Sequence, residues 1–89
     1  MKAVVTVTAK DAKGIIAKVS AKCFEYGANI VDISQSVIGE YFAMIMLVEI
    51  EKMETEFAVF QKELASLGEK RGLDIRVMHE EIFNSMHRI

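Results

Sequence analysis

The run from Val4 to Ser34, VVTVTAKDAKGIIAKVSAKCFEYGANIVDIS, constrains the chain most. Residues 3–9 are rich in Val and Thr and read as a strand, with Ala3, Val5 and Val7 on one face and Val4, Thr6 and Thr8 on the other. A short loop, Lys10-Asp11-Ala12-Lys13-Gly14, then hands the chain to a helix over about 14–26. In that helix Ile15, Val19, Cys23 and Tyr26 recur at spacings that share one face, and Ile16 and Phe24 widen the stripe. Asp11 is the N-cap that such a start favours, and Gly27 ends the helix as glycine does where a left-handed turn is needed. A strand that feeds a helix through a glycine-bearing loop is also a place for a ligand. The first backbone N–H groups of a helix have no intrahelical partner and sit at the positive end of its dipole, so they hold a carboxylate or phosphate without any special side chain.

The remaining segments continue the pattern. Residues 29–37 alternate as a second strand, Val31, Ile33, Gln35 and Val37 facing one way and Ile30, Asp32, Ser34 and Ser36 the other. Gly39-Glu40 makes a tight hairpin turn into a third strand, YFAMIMLVEI, which is apolar on both faces until Glu49 and therefore expects cover on both sides. Residues 54–70 form a second helix on the stripe Phe57, Phe60, Leu64 and Leu67, with Thr55 or Glu54 as cap and Gly68 or Gly72 as stop. Leu73 to Glu80 is a fourth strand, and the tail IFNSMHRI suits a last helical turn or a short docked extension over 82–89. The order βαββαβ, with right-handed crossovers, predicts an α+β ferredoxin-like sandwich. It is a four-stranded antiparallel sheet in the order 4-1-3-2, with two helices on one face. The other face, bearing Val4 and part of the third strand, needs another cover or a partner.

The 89 residues make one small domain, whose limited burial leaves little margin of stability. Its 52% of hydrophobic residues points to apolar surface shared with a second chain. With a net charge of −2 and no basic run, sequence-independent binding to nucleic acid is not expected. One cysteine, Cys23, rules out an internal disulfide framework and fits a reducing cytoplasm. No signal pattern opens the chain, and its longest apolar run is too short to span a bilayer.

Chemistry-bearing motifs are few. A soft-metal carrier of this fold would need paired thiols in the first loop, and an acylphosphatase-type enzyme an arginine there. Base stacking would need aromatic residues on the central strands, and a Walker loop its G-x-x-x-x-G-K-[ST]. None is present. His79 and His87 have no metal-ligand spacing, and Cys23 on an apolar helix face reads as a small buried hydrophobe. No nucleophile–base set and no acid–base carboxylate pair stands out, so catalysis is not expected, and neither a cofactor nor a metal is called for.

Asp11, then Gly14-Ile15-Ile16 opening the first helix, then Gly27-Ala28-Asn29-Ile30 opening the second strand, resemble the ACT-domain signature. The resemblance runs over residues 1–81. The short length, the segment Asp32-Ile33-Ser34-Gln35 and the tail Ile82-Phe83…Met86-His87-Arg88-Ile89 resemble the small stand-alone ACT proteins of bacteria and archaea. Those are similar in turn to the ACT modules of glycine-cleavage regulators. The resemblance implies a regulatory module that binds a small amino acid and pairs side by side or face to face. By position it implies a ligand set of Asp11, Ala12, Lys13, Gly14 and Ile15 from one subunit with Asn29 and Ile30 from its neighbour. The N–H groups near Gly14 and Ile15 would take the α-carboxylate, Asn29 either polar end of the ligand, and Asp11 the ammonium group. The expected dimer buries the helix-free face or extends the sheet through the second strand, and its output passes to another protein or through its own assembly. An ACT-like dimer that binds no ligand and works by docking to an enzyme or regulator is the alternative.

Overall fold

The computed structural model describes residues 1–10 and 13–86. Its elements are β1 (Lys2–Ala9), α1 (Ile15–Glu25), β2 (Asn29–Ile38), β3 (Tyr41–Glu49), α2 (Phe57–Arg71), β4 (Asp74–His79) and α3 (Glu80–Met86). The four strands form one antiparallel sheet in the order β2-β3-β1-β4, the expected order read from the other edge. The tail is thus a third helix over Glu80–Met86, packed against β1 and β4. The last residues of the expected turn or extension, 87–89, lie outside the described residues.

The core lies between one face of the sheet and the first two helices. Ala3, Val5 and Val7 of β1, Phe42, Met44, Met46 and Val48 of β3, and Ile75 and Val77 of β4 supply the sheet side. Ile15, Val19 and Cys23 of α1 and Phe60 and Leu64 of α2 supply the other. Each helix repeats its buried residues every four positions, which keeps them on one stripe. That narrow stripe leaves out Phe24 and Ile16, which are 85% and 37% exposed. Both were expected to widen the buried face, but a residue next to Cys23 or Ile15 is turned about 100° around the helix and misses the sheet.

Glycine sets several of the corners. Gly27, with φ +77°, closes α1: its N–H donates to the Phe24 carbonyl at 3.0 Å, and the N–H of Ala28 reaches back to Cys23 at 2.9 Å. That is the Schellman arrangement, and it aims the chain into β2 at Asn29. Gly72 caps α2 in the left-handed region, whereas Gly68 lies inside the helix. A Cβ on Gly68 would come within 2.7 Å of the Leu73 carbonyl oxygen, so glycine there lets α2 sit close on β4. Both helix starts differ from expectation. α2 is capped at Glu56, and α1 at Gly14, neither with a side-chain hydrogen bond.

β2 contains a bulge. Ile30 pairs with Val48 and Asp32 with Leu47, leaving Val31 unpaired between them. The extra residue reverses the alternation on its N-terminal side. Ile30 therefore faces the core, half-buried, rather than sharing a face with Asp32 as simple alternation requires. On the face away from α1 and α2, Val4 is buried and Leu47 and Met78 are half-buried, while Ile45 and Tyr41 stay exposed.

Candidate functional site

Gly14 is the N-cap of α1, with φ +73° and ψ 2°, a conformation that only glycine adopts readily. Among the described residues, a Cβ built on it meets nothing within 4 Å. The first turn of α1 contains no acidic residue, and Gly14, at the cap position, has no side chain to offer its N–H groups. Ile15 is buried and anchors the helix start to the sheet. A depression of about 190 Å³ lies beside this start, lined by Lys13, Gly14, Ile15, Lys18, Arg71 and Leu73. Three cationic side chains at the positive end of a helix suit an anionic group. Asp11 and Ala12, also expected here, lie outside the described residues. The cap position expected at Asp11 is taken by Gly14.

Lys18 and Arg71 were not among the expected site residues. The signal was topological: α1 joins β1 to β2 and α2 joins β3 to β4, two parallel pairs that run in opposite directions, so the start of α1 and the end of α2 lie at the same end of the sheet.

Asn29 and Ile30 lie elsewhere. Asn29 is exposed and lines a second depression, about 340 Å³, with Gly27, Glu49, Glu51 and Lys52. Glu51 accepts a hydrogen bond from the amino group of Met1, and this holds its carboxyl below the usual carboxylate range. The strand register shows how far apart the two groups are. Ala9, which leads into the Gly14 loop, is level with Phe42 and Val37. Asn29 is level with Glu49 and Lys2, at the other end of the sheet. The eight residues of β1, Lys2 to Ala9, span about 23 Å at strand rise. One chain therefore does not bring Gly14 and Asn29 together.

The other residues singled out have structural settings. Cys23 is fully buried, and burial pushes its thiol up to about 11. His79 stacks on Phe57 with ring centroids 4.0 Å apart. His87 lies outside the described residues. Among the described residues no cluster of three or more His, Cys, Asp or Glu could hold a metal ion, and no helix is long and apolar enough to cross a membrane.

An ACT-domain family model matches residues 2–78. The chain belongs to the ACT-domain family. Within it the similarity is to the UPF0237 group: a UPF0237 protein of Methanocaldococcus jannaschii is 48% identical over 86 residues, covering 97% of this chain and 96% of that protein. An ACT domain protein from Streptococcus pneumoniae superposes with a TM-score of 0.82 at 39% identity, covering 98% of each chain. A formyltetrahydrofolate deformylase from Pseudomonas syringae shares the fold over 88% of this chain and 27% of its own, with a TM-score of 0.77 and 20% identity.

Proposed function

We propose that the chain is a regulatory module that binds a small amino acid between two copies of itself and passes the bound state to a partner protein. The observation that carries this reading is the head of α1, where a left-handed Gly14 caps the helix without a side chain and no described atom stands within 4 Å of where its Cβ would be. That geometry suits an α-carboxylate, and ACT domains are regulatory modules that commonly bind amino acids. The ligand set is Gly14 and Ile15, with Asp11, Ala12 and Lys13 ahead of them, facing Asn29 and Ile30 of a second copy. Ile30 offers backbone rather than side chain, since its side chain turns inward. The reading is non-catalytic and places the protein in the cytoplasm, where a free thiol such as Cys23 is ordinary.

Thermal unfolding across a panel of amino acids at millimolar concentration tests this. A ligand present at a hundred times its dissociation constant adds about 2.7 kcal/mol to the folded state. Gly14→Val fills the open space and abolishes that shift; the left-handed backbone also makes the unliganded variant less stable by about 1–2 kcal/mol. An undiminished shift in Gly14→Val removes the loop from the site. The second reading, a docking module without ligand, is favoured by Phe24, 85% exposed on α1. It expects a flat panel.

A further inference from the structure

We propose that the groove between α1 and α2 docks a short acidic–apolar segment of a partner protein, with its carboxylate held by Lys18 and Arg71. The two helices run antiparallel because the strands that lead into them, β1 and β3, do. They pack on the sheet rather than closely on each other. Tyr26 and Phe60, a T-shaped ring pair with centroids 6.2 Å apart, join them at one end. From there toward the head of α1 they leave a depression of about 200 Å³, lined by Lys18, Ala21, Lys22, Glu25, Leu67 and Arg71.

The cations of this groove are unequally engaged. Lys22 is taken within the chain: it donates to Glu25 Oε2 at 3.2 Å and lies 5.9 Å from the centroid of the Tyr26 ring. Lys18 and Arg71 are exposed, and among the described residues neither has an ion-pair or hydrogen-bond partner. Arg71 suits the negative end of α2. Lys18 does not suit its place. It lies in the first turn of α1, at a positive helix end, and that turn holds no acidic residue to offset it. A local rule broken on an exposed surface is a mark of function, and here the missing element is an anion from outside the chain.

The rest of the groove defines the carrier of that anion. Ala21 and Leu67 follow the two cations and form an apolar seat. From Lys18 to Glu25 the groove runs about 10 Å along α1, the length of about three extended residues. A free phosphate or carboxylate would use only the end at Lys18 and Arg71. An extended segment that carries a carboxylate and, two residues away on the same face, an apolar side chain uses both halves. Nucleic acid would need a longer basic track. The groove lies on the helix layer over the middle of the sheet, so it stays open whether copies pair through β2 or through the opposite face.

This surface rests on the second half of the reading above, the hand-over to a partner protein, and supplies a route for it. Lys18 and Arg71 also line the depression at the head of α1. An anionic ligand there draws on the same two cations and loosens the docked segment, and linkage makes the effect reciprocal.

The test is nuclear magnetic resonance on the full, nitrogen-labelled chain. It is titrated to millimolar concentration with the end-blocked peptides Ser-Glu-Ser-Leu-Ser and Ser-Leu-Ser-Glu-Ser, which present the segment in both directions. Amide signals of residues 18–25 and 67–71 shift together, and replacing the peptide's Glu by Gln or its Leu by Ser removes the shifts. Lys18→Glu and Arg71→Gln each weaken binding about fivefold. Lys62→Glu, exposed elsewhere on α2, leaves it unchanged. Lys18→Glu also raises the unfolding midpoint by a few degrees, because the new charge suits the dipole, so its loss of binding is not a loss of fold. No shift with either peptide overturns the proposal, as does equal weakening by Lys62→Glu. Inorganic phosphate that binds as tightly as the peptides also overturns it, in favour of a small-anion site. Peptide binding with a flat amino-acid panel overturns the ligand reading and leaves the dock; amino-acid shifts without peptide binding overturn the dock alone.

Discussion

The two arms of the β2–β3 hairpin share a face and a register, yet their fates differ. On the helix side Phe42, Met44 and Met46 of β3 are 4%, 1% and 0% exposed. Their direct partners on β2 are Val37, Gln35 and Ile33, and of these Val37 is 68% and Ile33 36% exposed. The residue types do not explain this, since Val and Ile suit a core as well as Phe and Met do. Position does. The two helices cover β4, β1 and β3 and run out before the β2 edge. The apolar residues past that limit, Val37 and Ile33, stay open on the β2 arm.

Substitutions along the hairpin test that contrast most severely. Met46→Ala empties a fully buried site and lowers unfolding free energy by about 2–5 kcal/mol in a urea titration. Val37→Ala, on the open arm opposite Phe42, stays within about 0.5 kcal/mol in the same titration. A large loss at Val37 would mean that this part of β2 is covered rather than open.

The same contrast recurs on α1 between adjacent residues, Cys23 fully buried and Phe24 85% exposed. Burial raises the Cys23 thiol from 9.0 to about 11, so the folded chain holds a proton that the unfolded chain gives up. Its contribution is whole below pH 9 and is lost as pH rises toward 11, about 2–3 kcal/mol in all. Stability measured across that range therefore falls more steeply for the parent than for Cys23→Ala. Equal slopes would show that the thiol is not shielded.

Smallest is the effect at α2. Gly68→Ala gains about 1 kcal/mol of helix propensity. It also drives a Cβ to 2.7 Å from the Leu73 carbonyl, so α2 must shift away from β4. A net loss of about 1–2 kcal/mol on thermal unfolding is expected. A stabilised variant would show that this seam is loose, unlike the rest of the buried face.

The order of elements, the sheet and most of the core were legible in the sequence, because Val5, Val7, Val19, Cys23, Phe60 and Leu64 obey simple periods of two and of three to four. Ile30 was not, since a bulge leaves no composition of its own and Val31 looks like any strand residue. Phe24 misled for the opposite reason: an aromatic beside a stripe looks like part of it, and only the reach of the sheet decides. At the site, Gly14 was legible from its place between strand and helix. Its distance from Asn29 within one chain follows from the topology, since α1 carries the chain from one end of the sheet to the other before β2 begins.

The bulge at Val31 has a further consequence, for how this strand tolerates changes in length. Loss of any residue from Asp32 to Ile38 slides the pairing and turns one flank inside out. Loss of Val31 alone closes the gap between Ile30 opposite Val48 and Asp32 opposite Leu47, and every remaining side chain keeps its orientation. The strand thus carries one dispensable position, and it lies at the boundary between the part of β2 that belongs to the core and the part that stays exposed.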